Sequence, residues 1–227
     1  MKISVADGNT HYSSQDGVLF DYGKSELITC PSEKTGSYTV PNTVRTIQRY
    51  AFLGCTSITS VAIPAGVTSI EDNTFRDCKS LVSVNIPVGV TSIGARAFEN
   101  CSSLTFLVIP NTVTSIGDSA FLGCVNLAYA DIPAGVTSIG ESMFRDCKSL
   151  VSINIPAGVT SIGARAFENC SSLTSVTIPA SVTSIGDNAF EDCGDSLKEL
   201  TFADGSSLET IGEFAFSNTA IASVSIP

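Results

Sequence analysis

Tryptophan is absent from this sequence, histidine occurs once, at His11, and methionine twice. A single imidazole excludes histidine triads, imidazole proton relays and multi-histidine metal centres, and with them most hydrolytic and metal-dependent chemistry. Basic residues are also scarce: 12 Lys and Arg stand against 22 Asp and Glu, a net charge of -10. They form no cluster, so a nucleic-acid surface, which needs grouped cations against phosphate, is excluded. Charged residues of both signs make up 15% of the chain, against about 25% in an average soluble domain. No apolar run approaches the roughly 20 residues of a membrane-spanning helix, so membrane insertion is not expected. The opening stretch MKISVADGNTHYSSQ has no apolar core of a secretory signal and by itself gives no reading of export. The end on Ile226-Pro227 is what an open stack or a shortened chain would show.

What is present is a beat. Cys55, Cys78, Cys101, Cys124, Cys147, Cys170 and Cys193 recur every 23 residues, and Phe52 to Phe190 and Pro41 to Pro179 keep the same interval. Fixed periods of about 20 to 50 residues belong to solenoids, in which one repeat forms one coil stacked on the next. In the repeat beginning at Cys101, the apolar positions are Cys101, Leu104, Leu107, Ile109, Val113, Ile116 and Phe121. Leu107 and Ile109 alternate as in a strand, which Pro110 stops because proline cannot donate to a ladder. The Val-Thr-Ser-Ile stretch is β-prone and predicts a second ladder, and residues 94–100 read as a turn or two of helix. A lone coil would not fold: seven buried side chains yield about 10 to 20 kcal/mol, and ordering 23 residues costs at least as much. Eight to nine coils, at about 4.8 Å each, give a rod or arc roughly 40 Å long.

The stretch Ala166 to Gly186, AFENCSSLTSVTIPASVTSIG, resembles the BspA-like leucine-rich repeat, of the kind also called Treponema-type. The resemblance covers about 41–227, and DGVLFDYGKSELITCPSEKTGSYTVP, from Asp16 to Pro41, is similar to the degenerate hairpin-like repeat near the ends of such proteins. It implies a leucine-rich repeat solenoid, β-rich with short helical turns and a parallel sheet on the concave side. It also implies cell-surface or secreted proteins that act in adhesion or host binding, without enzymatic activity or cofactor. The expected organisation is an N-terminal cap with a hairpin over 1–41 and a continuous solenoid over 42–227. The last repeat is irregular: Phe190 and Phe216 are 26 residues apart and Thr219 stands in the cysteine's place.

Several side-chain columns invite a chemical reading. Stacked thiols lie close enough for bridges but point the same way and cannot wrap a tetrahedral zinc, so they read as buried, reduced core residues. The threonines Thr68, Thr91, Thr114, Thr137, Thr160 and Thr183 form a hydroxyl column; a column of that kind suits ice or sugar, but threonine is also simply a good strand residue. Residues 185–227 hold eight acids and only Lys198. Glu191, Asp192, Asp195 and Asp204 lack an EF-hand loop, so no metal is assigned and the end reads as a solvated face. Asn100-Cys-Ser and Asn169-Cys-Ser match the glycosylation pattern but fall in the tight turn before the cysteine, where a structural role is expected.

Residues 75–124 and 144–193 are identical at 40 of 50 positions, the mark of an internal duplication. Phe106, Leu107 and Val108, three consecutive differences, lie opposite Ser175, Val176 and Thr177 in the strand before the proline. Read along the array, a small polar outward face with Asn85 and Asn154 is interrupted by Phe106, Val108, Tyr129 and Asp131. Aromatic anchors inside a polar rim are the composition of a binding centre, although drift at surface positions of a duplicated repeat produces the same pattern. These six residues are the candidate site for a protein or glycan ligand, and the unpaired last strand, 222–226, is a candidate for end-to-end self-association. The other reading is a structural or assembly module of a larger surface protein without a dedicated ligand.

Overall fold

The computed structural model describes residues 2–226. Two parallel strands per coil build a solenoid of about eight turns. The strand before each proline forms the first sheet. Gly36–Thr39, Ile58–Ala62 and Ser83–Asn85 make one three-stranded section. Phe106–Leu107, Tyr129–Asp131, Ser152–Asn154, Ser175–Ile178 and Glu199–Phe202 make a five-stranded one. The Val-Thr-Ser-Ile stretch supplies the second sheet, through pairs such as Ser92–Ile93 with Ser115–Ile116. At the N-terminal end the pairing direction changes: Tyr12–Gln15, Val18–Asp21 and Glu26–Thr29 pair antiparallel, and Glu26–Thr29 then pairs parallel with Thr46–Ile47.

All seven inward positions of the Cys101 repeat are buried. Ala120, before the phenylalanine, is an eighth, occupied in other coils by Ala51, Thr74, Ala97, Met143, Ala166 and Ala189. The phenylalanines form one continuous stack from Phe52 to Phe216 with centroids 5.1–5.7 Å apart. Such parallel, offset pairs add about 0.5–1.5 kcal/mol each beyond the area they bury. The glycine closing the second strand is needed for close approach: a Cβ on Gly117 would lie 2.5 Å from the Ala95 backbone nitrogen of the preceding coil.

The helical turns expected over residues 94–100 are not formed, and no helix occurs among the described residues. Arg96 and Asn100 both take left-handed backbone angles, at φ 56° and 59°, which no α-helix tolerates. Their amides turn sideways to the next coil, with Arg96 N donating to Asp118 O at 2.9 Å and Asn100 N to Leu122 O at 2.7 Å. The segment is therefore a third ladder made of turns. The position before the cysteine is always Asn, Asp or Gly where the coil is regular, the residues that accept this angle most readily.

The expected last strand is also missing, since residues 221–226 carry no strand and the final coil is tied by a bridge between Gly194 and Thr219. An end coil has a neighbour on one side only, so half of the ladder that holds an interior strand is lacking. The open edge of the first sheet is Glu199–Phe202 instead.

Candidate ligand-binding face

Residues alternate across a strand, so one side chain per pair points into the solenoid and the other out of the first sheet. Phe106 and Tyr129 are register neighbours on adjacent strands and stand 56% and 60% exposed. Asp131 is register neighbour to Asn154 on the following strand, and both side chains line a groove of about 770 Å³. Val108 follows the paired stretch of its strand and is 70% exposed. Asn85 is set apart: the first sheet is interrupted between Ser83–Asn85 and Phe106–Leu107, so Asn85 belongs to the other section. Of the six residues singled out from the sequence, Phe106 with Tyr129 and Asp131 with Asn154 are brought into adjacent pairs.

The groove also takes in Asn111, Ser152, Ser175 and Thr177. Ser152, Ser175 and Thr177 belong to the uniform polar face and gave no signal against their neighbours. Asn111 had one, because it follows its proline where most coils place alanine, as at Ala65, Ala134, Ala157 and Ala180. The side chains here are free. Among the described residues, Asn111, Tyr129, Asp131, Ser152, Asn154 and Ser175 make no side-chain hydrogen bond within the chain, and only Thr177 does, to Thr201 Oγ1 at 3.0 Å.

Among the second-sheet hydroxyls of the described residues, those of the strand serines Ser92, Ser115, Ser138, Ser161 and Ser184 make no side-chain hydrogen bond, but four of the six in the threonine column do. Those of Thr91, Thr114, Thr160 and Thr183 donate to the threonine carbonyl of the preceding coil at 3.1–3.5 Å. The thiols are equally committed. Cys78, Cys101, Cys124, Cys147, Cys170 and Cys193 are free cysteines whose Sγ atoms donate to the phenylalanine carbonyl of the preceding coil at 3.0–3.3 Å. Burial pushes the thiols of Cys78, Cys124 and Cys193 up to about 12, and those of Cys101, Cys147 and Cys170 well above their usual range. They are neutral, unreactive core groups at physiological pH. Thr219 departs from the pattern and donates within its own coil, to Phe216 O at 2.9 Å.

Asn100 and Asn169 hold left-handed turns and donate to Asp77 and Asp146 of the coil before, at 2.9 and 2.6 Å. At the acidic end, Asp192 accepts from Asn218 at 2.7 Å and Glu191 accepts from Asn188. Among the described residues no three His, Cys, Asp or Glu side chains converge as metal ligands. No described helix is long and apolar enough to cross a membrane.

Similarity to known proteins follows the repeat. The family described as "BspA type Leucine rich repeat region" matches residues 30–151 and 116–227, with six copies. A leucine-rich cell surface protein from Faecalibacterium prausnitzii is 33% identical over 88% of this chain and 56% of its own, with a TM-score of 0.73. A leucine-rich repeat protein from Eubacterium ventriosum is 28% identical over 100% of this chain and 54% of its own, with a TM-score of 0.67. The leucine-rich repeat protein of Treponema pallidum is 26% identical, covers 92% of this chain and 86% of its own, and gives a TM-score of 0.56. The chain thus spans little more than half the length of the first two. No curated protein matches it. With the family match extending over nearly the whole solenoid, the chain belongs to the BspA-type leucine-rich repeat family.

Proposed function

We propose that the chain is a non-enzymatic recognition module, displayed at a cell surface or secreted, that holds a macromolecular ligand on the outward face of the first sheet. The observation that carries this reading is the adjacency of an exposed aromatic pair, Phe106 and Tyr129, to a groove whose polar side chains have no partner within the chain. Exposed aromatic anchors beside unsatisfied polar groups are what an interface centre requires. A leucine-rich repeat solenoid is typically non-enzymatic, and the Faecalibacterium protein is named a cell surface protein. In the same reading residues 1–41 act as a cap, their antiparallel hairpin closing one end of the parallel stack.

The test uses the internal duplication. Phe106→Ser with Val108→Thr writes the natural sequence of 175–177 into the earlier copy, leaving folding intact. Capture of surface or extracellular macromolecules should fall about thirtyfold or more in affinity in this variant, as expected when central anchors worth at least 2 kcal/mol are removed. Unchanged capture by the folded variant overturns the proposal.

A second reading, assembly through the open end, is favoured by the free edges of both sheets there, Glu199–Phe202 and Thr210–Ile211, with Ile211 and the following Phe214 exposed at 40% and 64%. An edge of this kind recruits further strands. Light scattering at millimolar concentration should show dimers or filaments that Phe214→Lys removes; a strict monomer overturns it.

A further inference from the structure

Resting on the proposed binding face, we infer that its groove takes a neutral polyhydroxylated chain, an oligosaccharide or polysaccharide segment, in preference to a protein. Charge is the first argument. Asp131 is the single acidic side chain of the groove, and no Lys or Arg lines it, which leaves nothing to hold an anionic ligand.

Hydrogen-bonding capacity is the second argument. Asp131 offers acceptors only, the amides of Asn111 and Asn154 offer donors and acceptors, and Ser152 and Ser175 offer hydroxyls that serve as either. All five are unpartnered within the chain. Asp131 and Asn154 are register neighbours, so they stand about 4.8 Å apart across the ladder. A sugar ring presents hydroxyls that donate and accept at close spacing, so one ring can use a carboxylate and a neighbouring amide together.

Shape is the third argument. The groove is an open trough over Tyr129–Asp131, Ser152–Asn154 and Ser175–Ile178, with a volume of about 770 Å³, inside the range of small-molecule sites. Tyr129 is register neighbour to Ser152, which places its exposed ring at the groove's margin, with Phe106 one strand beyond. Aromatic rings present an electron-rich face, which suits the C–H surface of a pyranose as well as it suits an apolar side chain. A peptide would add its own backbone to a sheet edge, but the groove lies over strands already paired on both sides, so β-augmentation is closed to it. A polar, weakly charged trough with an aromatic margin therefore favours sugar over peptide.

The test is affinity electrophoresis of the purified chain in gels containing neutral β-glucan, mannan or galactan. It is paired with capture of surface material treated with periodate, which destroys vicinal diols, or with protease. The inference expects retardation in at least one polysaccharide, reduced at least tenfold in apparent affinity by Tyr129→Ala and by Asn154→Ala. It also expects capture that survives protease and is lost after periodate. Thermal melts matching wild type show that the variants are folded. Capture lost to protease and indifferent to periodate overturns this inference while leaving the binding face standing, with a protein as its ligand. Retardation unaffected by either substitution overturns it as well, as does the absence of both retardation and periodate-sensitive capture. Loss of all capture from the wild type removes the proposed face too.

Discussion

Two polar columns run along the solenoid with the same 23-residue period and opposite fates. Four of the six threonine hydroxyls beside the second sheet, those of Thr91, Thr114, Thr160 and Thr183, donate to the coil before them, as Thr183 does to Thr160 O at 3.1 Å. On the first sheet, Ser152, Ser175 and Asn154 at equivalent regularity make no side-chain hydrogen bond. One column is internal adhesive and the other is open to a ligand. A hydroxyl satisfied within the chain gains little from a partner, because the bond it would make replaces one already formed. An unpartnered amide or carboxylate has only water to lose, so regularity of sequence says nothing about availability.

The thiol column lies at the committed extreme and gives the largest expected effect. The pKa values of six thiols are raised in the folded state. The unfolded chain releases these protons near pH 8.5, while the folded chain keeps them. Their contribution is intact below that pH and declines as pH rises toward the folded values, at roughly 8 kcal/mol per pH unit once all six ionise in the unfolded chain. Urea midpoints measured from pH 7 to 11 should collapse between about pH 9 and 11. A flat profile would show that the thiols reach solvent, as would rapid alkylation of Cys101 to Cys170 under native conditions.

The next largest effect comes from the close approach beside the second sheet. Gly117→Ala would force a Cβ against the Ala95 backbone and should cost about 1–3 kcal/mol, as overpacking usually does. Chemical denaturation reads this directly, and an unchanged midpoint would mean that the coils separate there.

Hydroxyls that tie coil to coil should matter less. Thr112 Oγ1 donates to Val88 O and Val90 O at 2.8 and 2.7 Å, and Ser181 to Ala157 O at 2.8 Å. Thr112→Ala and Ser181→Ala should each lose about 1 kcal/mol. The smallest effect is expected on the open column, where Ser152→Ala and Ser175→Ala should stay within about 0.5 kcal/mol of wild type. If those two cost as much as Thr112→Ala, the contrast between the faces fails.

Period and apolar pattern were enough to place the core. Cys101, Leu104, Leu107, Ile109, Val113, Ile116 and Phe121 are all inside, because a stacked coil buries the same positions in every turn. Residues 94–100 misled, since Ala, Arg and Glu favour helix locally while the lateral bonds to the next coil demand left-handed turns at Arg96 and Asn100. At the binding face, Phe106 and Tyr129 stood out as departures from the repeat. Ser152 and Ser175 did not, because they match their neighbours along the face in residue type, and what their hydroxyls touch cannot be read from the sequence.

The sequence by itself determined the repeat, seven of the eight inward positions, the two strands per coil and the odd coils near the middle. These follow from composition repeated at one interval. Tertiary structure alone decided that the third side is a ladder of turns, that the first sheet is interrupted before Phe106–Leu107, and that the last coil ends without a strand. It also decided which polar column is consumed and which is free. The reason is physical: backbone hydrogen bonds between coils join residues 20 to 27 positions apart, so their partners exist only once the stack has formed.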